Sequence, residues 1–253
     1  NWIISKDARE VPNHMTKQEK SWILQDWANS AYSVAITTAI LPIFFKDVAS
    51  KGIDSSLSTA YWGYSNSVST LIVSILAPLL GALADYRGFK KKFFILFFLM
   101  GVVFTALLAT LQEGEWMKCI ILYSLTVIGF SGSNIFYDAF LVDVTDKKRM
   151  DWVSSLGFGF GYIGSTIPFI ISVLFIMKPG LIGLQSTIEA TRLSFVITAV
   201  WWFVFTLPML KNVKQIYYIE HSRYAIRESF SRLWRTLKDS AKHKNIFVFL
   251  VSY

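Results

Sequence analysis

The sequence predicts an all-α membrane protein, a bundle of six transmembrane helices followed by the start of a seventh span. Three observations carry this. Apolar runs of about 20 residues recur along the chain, each long enough at 1.5 Å per residue to cross a hydrocarbon layer of roughly 30 Å. Charged residues make up 17% of the 253 positions and hydrophobic ones 53%, whereas soluble domains carry about 25% charge. Basic residues cluster in the short segments between the runs, where membrane orientation explains them.

Taken in order, span 1 runs from Trp22 to Phe45, span 2 from Thr59 to Ala84 and span 3 from Phe93 to Leu111. Span 4 covers Trp116 to Val142, span 5 Trp152 to Met177 and span 6 Ala190 to Leu210. Trp22, Trp62, Trp116 and Trp152 fall near span ends, as an interfacial aromatic belt places them. Residues 1–21 then form an N-terminal tail and residues 22–210 the six-span body. Residues 211–244 form a basic linker, and residues 245–253 the truncated start of span 7. The tail has no signal-peptide core. The chain opens on Asn1 and closes inside the apolar run IFVFLVSY, the expectation for a piece of a longer protein whose C-terminal half is its natural partner.

Of the 25 Lys and Arg residues, 20 fall on the side of the N-terminal tail and five on the other. Setting aside the long segment after span 6, the split is 11 to 5. The positive-inside rule therefore predicts a multi-pass protein of the cytoplasmic membrane with both chain ends cytoplasmic. The net charge of +8 is accounted for in this way, and no nucleic-acid partner is expected. In the 211–244 segment, Ile226, Phe230, Leu233 and Leu237 recur at helical spacing among Arg223, Arg227, Arg232 and Arg235. This pattern predicts a basic amphipathic helix on the anionic lipids of the inner leaflet, with a solvated linker as the alternative.

The loop between spans 2 and 3 carries the most specific motif. Gly81, Leu83, Ala84, Asp85, Gly88 and Lys90 match the pattern G-x-L-A-D-x-x-G-(basic)-(basic), with Phe89 at one basic position and Arg87, Lys91 and Lys92 supplying charge nearby. Gly81 permits close helix approach, Gly88 a tight turn, and Asp85 offers a fixed anion. The loop resembles the signature loop of the major facilitator superfamily. That resemblance implies a six-span bundle of the major facilitator type, with this loop latching two halves together when the cytoplasmic side is closed.

A second resemblance narrows the choice. The stretch from Trp22 through Asp26, Asn29 and Ser33 to Thr37, Thr38 and Pro42 is similar to the first span of the vacuole-effluxer-like branch of that superfamily. Phe136-Tyr137-Asp138-Ala139-Phe140-Leu141-Val142-Asp143 resembles its fourth-span pattern, with Asp138 where Asn is common and Val142 where Pro is common. The branch implies secondary transport of a small solute, with amino acids as the class, and spans 1 and 4 lining a central cavity. Drug or sugar efflux, or a non-transporting receptor or scaffold on the same fold, are the alternatives.

The residues themselves point to a polar path. In span 1, Asp26, Asn29, Ser30, Ser33 and Thr37 recur at spacings of three and four and share one face. Span 2 has Tyr64, Ser67 and Ser74, and span 4 has Ser124, Ser131, Asn134 and Asp138. Polar side chains facing lipid are costly, so these faces should look inward. For any single Ser or Thr, a bond back to its own helix is the simpler account. Asp26, one turn inside the span as drawn, has a helix-capping alternative. Asp138 sits near a helix C-terminus, where the dipole disfavours an anion, and is the stronger candidate. Together they form a candidate protonatable or cation-pairing pair.

In span 5, Gly159 to Gly164 matches G-x-G-x-x-G, but no strand precedes it and it lies in an apolar run, so nucleotide binding is excluded. Gly157, Gly161 and Gly164 are read instead as helix-packing positions, with Pro168 beyond them. Span 4 holds no Arg, and so lacks the proton-coupling motif of many superfamily members. Glu189 and Arg192 are spaced to pair on one helix face. There is no Walker loop and no His/Cys ligand cluster; His14, His221 and His243 lie outside the spans, and Cys119 is the only cysteine. No metal, cofactor or enzymatic activity is expected.

Overall fold

A computed structural model describes residues 14–220 together with the backbone of residues 3 and 4. Six helices in it are long and apolar enough to cross a membrane: Lys17–Ala49, Ser55–Ala84, Phe89–Thr110, Trp116–Ala139, Met150–Met177 and Thr187–Asn212. These are spans 1 to 6 below.

Most are longer than the apolar runs, because capping groups extend the helices into polar sequence. Thr16 and Glu19 form a capping box, the Thr16 hydroxyl accepting from the Glu19 N–H at 3.1 Å and the Glu19 carboxylate from the Thr16 N–H at 2.7 Å. Span 1 therefore begins at Lys17, inside the expected tail, and Asp26 lies about 14 Å along the axis, too deep to cap it. Asp54 and Ser186 cap spans 2 and 6. The Asp54 carboxyl is held below the usual carboxylate range by its bonds to the Ser56 hydroxyl and N–H. Span 4 stops at Ala139, short of Val142, and the chain makes a separate turn of helix at Leu141–Val144.

Span 1 is not uniform. Pro42 has no N–H to give the carbonyl four residues back. Ahead of it, Ser33–Ala39 is wound as a π-helix, with Ile40 N–H bonding to Ala35 O. The wider turn breaks the three-and-four spacing beyond Ser33. Thr37 is consequently exposed and lies off the groove described below.

Span 1 packs on spans 5 and 6, span 4 packs on spans 2 and 3, and span 3 meets span 6. Exchanging spans 1–3 with 4–6 maps these contacts onto one another, although spans 5 and 6 also pack together while spans 2 and 3 barely meet. Where spans 1, 3, 4 and 6 converge, the fully buried Trp202 lies against Tyr32, Phe98 and Phe130 at 5.3–5.9 Å between ring centroids. Tyr32 stacks on Phe130 at 4.5 Å and hydrogen-bonds Thr126 at 2.7 Å. A methyl group on Gly129 would run into the backbone of Gly101, so spans 3 and 4 touch main chain to main chain.

Several expectations are revised. Trp22 is 3% exposed and points inward, because span 1 starts a turn earlier than its apolar run. Tyr64, Ser67 and Ser74 are exposed; span 2 instead turns Ser65 and Asn66 toward span 4, where they meet Ser124 and Tyr123. Gly81 has nothing within 4 Å of a Cβ position, so among the described residues no helix approaches closely there. Arg192 donates to Gln112 at 2.7 Å and Glu189 accepts from the Gln185 N–H at 3.0 Å, which leaves no Glu189–Arg192 pair. After span 6, residues 213–220 are extended rather than helical; the positions of the amphipathic pattern and of span 7 lie outside the described residues.

Gly129→Ala should destabilise the bundle by about 1–3 kcal/mol, because backbone cannot move aside as a side chain can. Gly81→Ala should leave stability unchanged. Thermal unfolding of the two variants in detergent checks the contrast.

Candidate functional site

Alternation of the six spans places the chain start, the loops after spans 2 and 4, and residues 213–220 on one face of the bundle. That face is called the N-terminal face here. A groove of about 640 Å³ runs from it toward the middle of the bundle between spans 1, 4 and 5.

Span 1 contributes Trp22, Asp26, Asn29, Ser30 and Ser33 to the groove. Span 4 contributes Phe130, Asn134, Tyr137 and Asp138, and span 5 Ser154, Phe158, Tyr162 and Ser165. Asn29 donates to the Asn134 side chain at 2.7 Å, and the Trp22 indole N–H donates to the Tyr137 carbonyl at 3.0 Å while its ring stacks on Tyr137 at 4.4 Å. These contacts hold spans 1 and 4 in register along the groove. Of the candidates marked in the sequence, Asp26, Asn29, Ser33, Asn134 and Asp138 come together here; Thr37 does not. Trp22 and Tyr137 went unmarked as site residues, since an aromatic in an apolar span reads as core.

Span 5 sets the position of Asp26. The ring of Trp22 and an Asp26 carboxylate oxygen lie against Gly157, the latter 3.1 Å from where a Cβ would sit. A Cβ on Gly161 would meet Ser30, and one on Gly164 would meet the Trp27 main chain and ring. Gly159 faces open space and takes no part. No ion pair or side-chain hydrogen bond engages Asp26 or Asp138 among the described residues. The groove lining contains no Lys, Arg or His.

The N-terminal face is built in the opposite way, with every buried charge paired. Lys90 Nζ lies 2.6 Å from Asp143 Oδ2, the two side chains 5% and 0% exposed, and also donates to the Ala139 carbonyl at 2.9 Å. The other Asp143 oxygen accepts the N–H groups of Ile216 and Tyr217 at 2.7 and 2.8 Å. Gln215 accepts from the Gly88 N–H and donates to the Ala84 carbonyl, both at 2.9 Å. Gly88 sits at φ +75°, where the motif needs its glycine. Asp85 accepts the Ile219 N–H through its carbonyl at 2.8 Å; Arg87 donates its N–H to Ile219 and lies over the Tyr218 ring. Tyr217–Tyr218 in turn pairs antiparallel with Ile3–Ile4. The signature loop thus forms the seat of an extended strap. A second, partly buried pair, Glu19 with Arg149 at 3.1 Å, joins the start of span 1 to the loop after span 4, where Thr145 also donates to Glu19 at 2.7 Å. Asp143 stands out in the sequence only as part of the fourth-span pattern, and neither its pairing nor that of Glu19 with Arg149 can be read from sequence, because the partners lie 53 to 130 residues apart.

The fold and groove together define a polytopic α-helical membrane bundle of the major facilitator type. Residues 55–148 and 142–253 match the family described as vacuole effluxer Atg22 like, and the chain belongs to that family. It is 50% identical, over 94% of its own length, to the uncharacterised MFS-type transporter YxiO of Bacillus subtilis (strain 168), and covers 56% of that protein. It is 24% identical over 72% of its length to Autophagy-related protein 22 of Coccidioides immitis (strain RS), covering 38% of it. An uncharacterised protein of Aquifex aeolicus (strain VF5) is 29% identical over 59% of this chain and 36% of its own. The chain therefore spans about half the length, or less, of these relatives.

Lys90→Ala strands Asp143 as a buried anion and should cost about 3–5 kcal/mol of stability. Lys90→Met combined with Asp143→Leu removes both charges and should recover part of that loss, the two strap N–H groups remaining unmatched. Unfolding midpoints of the single and double variants measure this; equal midpoints for parent and Lys90→Ala would show that the pair does not hold the face.

Proposed function

We propose that this chain is the N-terminal half of a secondary transporter, and that the groove between spans 1, 4 and 5 is its share of the solute path. The observation that carries the reading is the pair of carboxylates, Asp26 and Asp138, standing unpaired in a groove whose other charges are absent. Ionisable groups inside a membrane are costly and are kept where they serve a passing solute or ion. A scaffold has no use for such a groove. The relative named an MFS-type transporter, half of which this chain matches at 50% identity, supports the same reading.

The mechanism we propose is rocking of this half against a second half around a shared midplane site. The strap and the signature loop, with Asp85, Arg87, Gly88 and Lys90, form the gating apparatus of the N-terminal face. That face is cytoplasmic by the distribution of Lys and Arg. The membrane is the cell membrane, and amino acids are the solute class that the branch resemblance implies. Gly157, Gly161 and Gly164 let spans 1 and 5 move as one packed unit.

Full-length protein reconstituted in proteoliposomes should show saturable counterflow of a labelled amino acid from a panel of the twenty. Asp138→Asn should lower that flux at least tenfold. A parent protein with no flux for any member, or a variant with unchanged flux, would refute the proposal.

A further inference from the structure

From the chemistry of the groove we infer that this half recognises the positively charged ammonium of an organic solute, and that cationic solutes are preferred over neutral or anionic ones of the same shape. The inference rests on the groove being the solute site. Three independent features point to it.

The first is charge. Two carboxylates face one groove, no cation lines it, and neither carboxylate has a partner among the described residues. Elsewhere in this fold, buried acids are matched; Glu19 and Asp143 each have a basic partner within 3.1 Å. Asp26 is half-buried and Asp138 is exposed to the groove, so their charge faces open space between the spans and is left for a partner from outside.

The second is Tyr137. It is 4% exposed and lines the groove, yet its hydroxyl has no hydrogen-bond partner among the described residues. The hydroxyl lies within electrostatic reach of both Asp26 and Asp138. A buried hydroxyl without a partner costs about 1–3 kcal/mol. A donor entering between the spans is the kind of group that this unmatched phenol oxygen and the two acids can all use.

The third is the wall. Trp22, Phe130, Tyr137, Phe158 and Tyr162 line the same groove as the acids. Aromatic faces attract cations and offer an apolar body a surface to lie on. Carboxylates beside such faces suit an ammonium carried on an apolar body. They oppose a carboxylate of the solute, which would meet two like charges and no cation.

The test is equilibrium binding to the full-length protein in nanodiscs, which does not depend on flux. Three probes of one shape are compared: phenethylammonium, 2-phenylethanol and phenylacetate. Phenethylammonium should bind at least tenfold more tightly than either of the others. Asp138→Asn and Asp26→Asn should each weaken it at least tenfold, and Tyr137→Phe should weaken it several-fold. Each variant's elution profile and melting point are recorded, so that one misfolded variant leaves the other two to decide. Equal binding of the alcohol, undiminished binding in the folded variants, or no binding of any probe overturns the inference. Ammonium binding without flux in proteoliposomes would sink the transporter reading and leave this one standing; flux without ammonium preference would do the reverse.

Discussion

The Asp143 carboxylate is where three distant stretches of chain are tied together. One of its oxygens holds Lys90 at the start of span 3, and the other holds the main chain of Ile216 and Tyr217 in the strap after span 6. Lys90 also reaches the last carbonyls of span 4 through Ala139. A buried carboxylate is costly unless it is paired and hydrogen-bonded, and this one takes three donors, from both sides. The signature loop is therefore folded around a charge. Lys91 extends the same scheme by donating to the Leu210 and Val213 carbonyls, which caps the end of span 6.

Asp138 lies five residues before Asp143, separated by the short break in helix at Phe140. One acid is fully satisfied and the other stands open in the groove. That contrast gives the end of span 4 two electrostatic settings in little more than one turn. The satisfied acid anchors the N-terminal face, and the open one inherits its position from that anchor. Any displacement of the strap or of Lys90 must shift the end of span 4, and with it the groove wall that carries Tyr137 and Asp138. The loop after span 2 and the groove are in this way joined through the end of span 4.

The six spans were legible because lipid demands long apolar runs, and that demand leaves a plain trace in sequence. Their ends were not, because Thr16, Asp54 and Ser186 extend the helices by hydrogen bonding that hydropathy does not register. The groove was legible in part. Asp26, Asn29 and Ser33 share a face because the first half of span 1 is regular, and periodicity failed at Thr37, where the π-helical turn ahead of Pro42 rotates the face away. Tyr137 was hidden by its own apolar ring. The close crossing of Gly101 and Gly129 was invisible because a small residue signals packing only once its partner is known. Long-range pairing was the information that periodicity could not carry.

The position of Asp26 shows how far one span's chemistry is set by another's. The carboxylate lies against Gly157, and Ser30 against Gly161, so spans 1 and 5 meet along a seam with no side chains on one side. A larger residue at 157 would take the place of the acid and press on Trp22, which stacks on Tyr137. The glycines thus act at one remove. They allow the approach that brings Asp26 to the groove edge, and the stacked pair then joins that edge to span 4. Charge, aromatic wall and glycine seam form one mechanical unit, in which the acid of span 1 is placed by the absence of side chains on span 5.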